Sequence, residues 1–455
     1  VKSTLAIIML TLSAIALLVA CDAGSGQLGD AIPYEKALPE AGSWSAMTQF
    51  GAPPPSLDHA AVWTGDALIV WGGQIGRDEV TDNGAIYNPN ANLWTPISLL
   101  DAPEARTKAA AYWTGDRLLI WGGISIIEHQ GSHFEAPLHT GALYDPISDV
   151  WTPMSTAFAP IADANHRHVW TGDELIVCNS AGSARYDPQS NQWTQLSNVQ
   201  APSTRKARHA YWTGSRVLVW GGEEQSGDTT FTLNDGALYD PARDEWTPIS
   251  RGNAPASFDT EVRVLPMGER MLVLPASHPT KGVQVPWLYD SASDTWSAVS
   301  PLNAPSTIQT RESYGRGTLC ANATWTGARA IFWNDNRIFD PLTNTWTQHV
   351  GARNHRMGWQ DAGFCWNGER AFLYGGADAS GTAQSGGSSM SPFSNLEIRM
   401  PQMDQPHQRT APTLIWTGDA LIVWGGFDAS YSLREDVKEA GEWLDLFSSG
   451  AVYRP

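Results

Sequence analysis

The eleven residues WTGDALIVWGG stand at 63–73 and return unchanged at 416–426. Related phrases begin at Trp113, Trp170, Trp212 and Trp325, and two divergent copies fill the gaps: PMGERMLVLPA from Pro266 and WNGERAFLYGG from Trp366. Counted this way the chain holds eight units, 41 to 59 residues apart. Recurrence at such a period overrides the two or three domains that length alone suggests, because each unit is one supersecondary element that buries its faces against its neighbours.

Each unit reads as four short strands. An apolar strand ends in Trp, a Thr-Gly-Asp turn follows, and the Gly supplies the positive φ of a tight hairpin. A second apolar strand such as ALIVWGG leads into a loop of variable length, then a third strand such as GALYDP, an Asp-Pro turn and a fourth strand such as EWTPIS. Asp bonding forward and Pro presetting φ give these turns a mechanism. With 42 Gly, 29 Pro and 22 Trp the composition is that of strands and turns. The prediction is an all-β closed β-propeller with four-stranded blades, eight in number, or seven if the segment from Leu396 to Met403, which lacks a Trp, is not a blade edge. The last unit stops after GAVYRP at Pro455, without a fourth strand, whereas GSWSAMT at 42–48 is a fourth strand with nothing before it. An N-terminal outer strand therefore closes the ring, and the propeller spans 43–455.

The GG after the second strand, the Tyr-Asp-Pro after the third and the Trp opening the fourth, as in LYDPARDEW at 238–246, resemble Kelch repeats, like the central domain of galactose oxidase. The resemblance covers nearly all of 43–455 and implies a ring whose channel mouth serves ligand binding, in some Kelch propellers through arginines. Some similar rings are enzymes. The copper oxidase type needs a cross-linked Cys-Tyr and two His in the channel, a set that does not map onto this chain. The sialic acid mutarotase type asks only for a few polar residues in a pocket and stays open as an alternative.

Residues 1–20 have another texture: Lys2, an apolar run from Leu5 to Ala20, then Cys21. That run is shorter than the roughly 20 residues needed to span a bilayer and has the layout of an export signal. Leu18-Val19-Ala20-Cys21 resembles a bacterial lipobox, which implies lipidation at Cys21 and a protein anchored in the cell envelope, periplasmic or at the cell surface. Residues 21–42 read as a flexible tether. The formal charge of −18 disfavours nucleic acid as a partner.

Within a propeller the first-to-second and third-to-fourth turns share one face; here both are short and uniform. The variable connections emerge on the other face, where binding residues concentrate. Nineteen of the 22 Trp hold repeat positions, as wedges between blades; Trp287, Trp359 and Trp443 do not. Trp359 and Trp443 fall in loops of the variable face and are candidate ligand contacts. Arg106, Arg205 and Arg409 each precede a strand Trp by seven residues. With His59, His166, His168 and His209 nearby, they are candidates for binding a carboxylate or acidic peptide; the other reading is that they bond neighbouring loop carbonyls. His129, His133 and His139 with Glu128 and Glu135 crowd one loop but match no defined metal site, so no metal or cofactor is expected. Cys320 and Cys365 could pair in an oxidising compartment, although their registers differ by about 13 Å along the strands. Cys178 should be a buried thiol. No catalytic motif stands out. The expected role is a membrane-tethered binding module for a glycan, acidic peptide or protein, with a mutarotase or epimerase type of carbohydrate enzyme and a structural scaffold as alternatives.

Overall fold

The computed structural model describes residues 41–161, 167–178, 182–203, 205, 209–226, 229–255, 262–275, 285–305, 323–333, 337–348, 361–377, 382–394, 397–428 and 445–455. Its eight four-stranded antiparallel sheets form the blades of a ring, and none of the described residues is helical. Blade 1 runs from its inner strand Ala60–Trp63 through Leu68–Trp71 and Gly84–Asn88 to its outer strand Leu93–Pro96. Blades 2 to 7 repeat this order, including blade 7, whose weak outer edge is the strand Glu397–Arg399. Blade 8 takes Thr413–Trp416, Leu421–Trp424 and Gly450–Arg454 from the end of the chain and Ser43–Ala46 from its beginning. That last pairing is antiparallel, with Trp44 opposite Tyr453, so the count is eight and the N-terminal strand closes the ring.

Strand composition follows position in the blade. Second strands such as Leu68–Trp71 and Leu118–Trp121 are buried at every residue, because both sheet faces meet a neighbouring blade; hence the unbroken apolar runs in place of alternation. Outer strands bury only their Trp. These indoles are the wedges: Trp94 meets Trp424 of blade 8 at 4.5 Å between ring centroids, Trp151 meets Trp71 at 5.6 Å, and Trp193 meets Trp121 at 5.3 Å. Cys178 holds the second-strand Trp position in blade 3, 1% exposed and in the cluster with Trp246. Trp287 lies in the third strand of blade 5, against the core between blades 4 and 5.

The uniform third-to-fourth turns have a second function. Two residues before the outer-strand Trp stands Asp or Asn at positive φ, as in Asn92, Asp149, Asn191 and Asp244. Its carboxyl or amide oxygen accepts the Tyr hydroxyl of its own blade (Tyr144 to Asp149, 2.7 Å) and a backbone N–H of the preceding blade (Ser98 to Asp149, 2.9 Å). The wedge indole adds a parallel latch, Trp151 Nε1 to the Ser98 carbonyl at 2.9 Å. In blade 8 the equivalent position is Gly42, φ +85, where a Cβ would collide with the Tyr453 ring.

Candidate functional site

Antiparallel order puts the first-to-second and third-to-fourth turns on one face and the other connections on the opposite one. On that opposite face, among the described residues, four blades carry inserted hairpins between second and third strands. They are Gln74–Gly76 with Glu79–Val80, Ile124–His129 with Ser132–Pro137, Glu223–Ser226 with Thr229–Thr232, and Phe427–Asp428 with Asp445–Leu446. Three of the four rise from adjoining blades, 8, 1 and 2. The blade 1 and blade 2 hairpins touch, with His133 Nδ1 3.6 Å from Asp78 Oδ2. On the blade 2 hairpin Ile127 pairs directly with Phe134, and both are 51% exposed; Phe231 on the blade 4 hairpin is 52% exposed.

Arg106, Arg205 and Arg409 share one arrangement. In each, Nε donates to the carbonyl two residues earlier, of Glu104, Ser203 or His407, at 2.9–3.0 Å. Nη1 donates to the first Gly of the GG pair, Gly122, Gly221 or Gly425, and also to the carbonyl just before the third strand, of Thr140, Asp235 or Ser449. All three are at most 3% exposed. The backbones of Arg106 and Arg409 reach the preceding blade as well: Gly73 N donates to the Arg106 carbonyl at 2.9 Å and Gly376 N to the Arg409 carbonyl at 2.8 Å. The bonds to loop carbonyls are thus realised, and the guanidinium groups act as clips that pin the entry to each inner strand. Burial, partly offset by Glu104 and Tyr374 respectively, brings Arg106 and Arg409 down to about 10, still cationic at neutral pH.

The histidines divide between two places. His59, just before the inner strand of blade 1, donates from Nδ1 to the Ser56 carbonyl at 2.9 Å, which leaves Nε2 to accept from Thr413 Oγ1 of blade 8 at 3.0 Å. It therefore sits on the closing seam. His168 is the second residue of the inner strand of blade 3, Arg167–Trp170, and His209 opens that of blade 4. The Tyr112 hydroxyl of blade 2 hydrogen-bonds with His168 Nδ1 at 2.8 Å, and burial pushes the Tyr112 phenol above its usual range, so it stays protonated there. Tyr112 and Arg167, which the sequence reading passed over, thus join His168 and His209 along adjoining inner strands. Trp359, Trp443, His166, Cys21 and Cys320 lie outside the described residues, and with Cys320 the question of its pairing to Cys365. Among the described residues no group of three or more His, Cys, Asp or Glu gathers around a common point.

His209 is 7% exposed and lies flat against Trp220, 6.3 Å between centroids. Burial, with Arg167 nearby, holds its imidazole down at about 4. Above its unfolded value of 6.5 neither state is charged; between 6.5 and 4 the unfolded chain binds a proton that the folded one refuses, so stability falls as pH drops through that window. At pH 5 the expected loss is about 2 kcal/mol. Denaturant unfolding at pH 7 and pH 5 should show a steeper pH dependence for the natural chain than for His209→Gln, and equal slopes would contradict it.

The chain matches no protein-family model and no curated protein.

Proposed function

We propose that this propeller is of the Kelch type, held at the bacterial cell envelope by a lipid on Cys21, and that it works as a binding module for a protein or glycan on the variable-loop face. The supporting observation is the paired, half-exposed Ile127 and Phe134 at the crest of the hairpin wall on blades 8, 1 and 2. A cross-strand apolar pair standing in solvent adds nothing to the ring's own core, and apolar crests of this kind form the centres of interfaces. The Kelch assignment draws support from the GG pairs, which lie at positive φ and exchange hydrogen bonds with the arginine clips. On this reading Arg106, Arg205 and Arg409 hold the loops that meet the ligand. His59, His168 and His209 support the inner strands beneath them, and Trp359 and Trp443 are further contacts, proposed from their place outside the repeat register.

The test offers the chain a panel of purified envelope proteins and glycans, natural chain beside Ile127→Ser/Phe134→Ser, and follows each panel member for chemical change. Capture without turnover, lost in the double variant at unchanged melting temperature, is the expected result. Turnover of a glycan would replace the binding module by an enzyme, and capture indifferent to the double variant would move the site elsewhere.

A further inference from the structure

Blade 3 departs from its sisters at one pair of positions. Four residues beyond the inner-strand Trp, or beyond Pro266 in its place in blade 5, five blades carry arginine, as in Arg117 and Arg216, and two carry alanine; blade 3 alone carries Glu174. On the third strand the matching residue is aliphatic in six blades, Leu143 and Leu238 among them, and Arg185 in blade 3. In the flanking blades the turn arginine reaches across to the next blade's outer turn: Arg117 Nη2 to the Pro188 carbonyl at 3.1 Å, Arg216 Nη2 to that of Ser291 at 2.9 Å. In blade 3 that contact is made from the third strand, by Arg185 Nη1 to the Pro241 carbonyl at 2.8 Å. Glu174 is thereby released from any bridging duty.

Exchanging an aliphatic side chain for a half-buried charge pair gives the fold no stability, so the exchange calls for another reason. Glu174 Oε2 stands 3.7 Å from Arg185 Nη1, and each side chain is 26% exposed. Among the described residues the Glu174 carboxylate receives no hydrogen bond, and Arg185 Nε and Nη2 make none. Burial accordingly raises the Glu174 carboxyl. Beside them, on the tight-turn face, a cleft of about 410 Å³ opens between Trp170 and Trp212, also lined by Thr171, Asp187 and Pro241. Trp170 is held in place by stacking on Tyr112, 5.7 Å between centroids.

We infer that this cleft is a second binding site, for a neutral pyranose sugar. Two indoles suit the C–H faces of a sugar ring, and a carboxylate beside a guanidinium offers an acceptor and donors to adjacent hydroxyls. A cationic ligand fits less well, because Arg185 offsets Glu174, and Asp187 is already occupied by Ser190 Oγ at 2.7 Å and Gln189 N at 2.8 Å. The cleft lies opposite the variable-loop face, so this assignment stands or falls independently of the one made above.

The experiment titrates the full chain, in a detergent without sugar headgroups, with the methyl glycosides of glucose, galactose, mannose and N-acetylglucosamine, reading indole fluorescence and heat. Saturable binding of at least one is expected, with a Kd on the order of millimolar or tighter. Glu174→Arg/Arg185→Leu restores the pair found in blade 2; it should keep the melting temperature while weakening binding about tenfold or more. The isosteric Glu174→Gln should weaken it too, which keeps the test sound if the double variant folds poorly. Binding of none of the four, affinity unchanged in both variants, or binding of trimethyl-lysine in place of the sugars would each overturn the assignment.

Discussion

Deleting Gly42 to Thr48 should unfold the ring or lower its melting temperature far more than deleting an equal length from Gln27 to Pro33. The deletion takes away the four-residue pairing of Ser43–Ala46 with Ala451–Arg454 and leaves the third strand of blade 8 as an open edge. It also removes Trp44, 6% exposed and 5.2 and 5.1 Å from the rings of Tyr374 and Tyr453, whose Nε1 donates to the Pro401 carbonyl at 2.9 Å. Met47, 5% exposed in the core between blades 8 and 1, goes with it. Two large buried side chains lost at once amount to roughly 5 kcal/mol or more, a large part of the stability of an ordinary domain. Thermal and denaturant unfolding of the two deletions decide the matter: equal midpoints would mean that the seam carries no such load.

Arg409→Leu should cost roughly 3–5 kcal/mol, whereas Arg243→Leu should stay within about 0.5 kcal/mol. Arg409 is 0% exposed, with donors on three carbonyls, those of His407, Gly425 and Ser449, and its guanidinium carbon 5.0 Å from the Phe447 ring centroid. Leucine would leave the three carbonyls without those donors. Arg243, 74% exposed, pairs among the described residues only with Asp240, at 3.7 Å. Equilibrium unfolding gives both values. A stable Arg409→Leu chain would overturn the clip and return Arg409 to the ligand contacts.

The arginines show how much of this molecule is legible in its sequence. Their regular place seven residues before a strand Trp was visible, but that regularity belongs to the ring, because each repeat meets the same packing problem and solves it with the same side chain. A ligand, by contrast, meets one blade differently from the next. The informative residues are those that break the pattern, as Glu174 and Arg185 do. Blade count and ring closure were legible because turn glycines and wedge tryptophans are local signals. The Asn92 and Asp149 type of latch was present in the same strings, two residues before every outer-strand Trp but Trp44, yet its partner is a backbone N–H on another blade, and one-dimensional spacing does not display such a partner. The Tyr112–His168 bond escaped for the same reason, since 56 positions separate its members.

Closure by Ser43–Ala46 also sets an order of events. The Tyr453 hydroxyl donates to the Ala41 carbonyl, 412 positions earlier in the chain. The first strand of the ring to leave the ribosome must therefore wait for the last. At about 5–20 residues per second that wait lasts tens of seconds. During it blades 1 to 7 can assemble one upon another, but blade 8 cannot be finished and the ring stays an open arc. A chain cut before Gly450–Arg454 would hold seven complete blades and an unclaimed opening strand, so the seam locks only once that strand has been made.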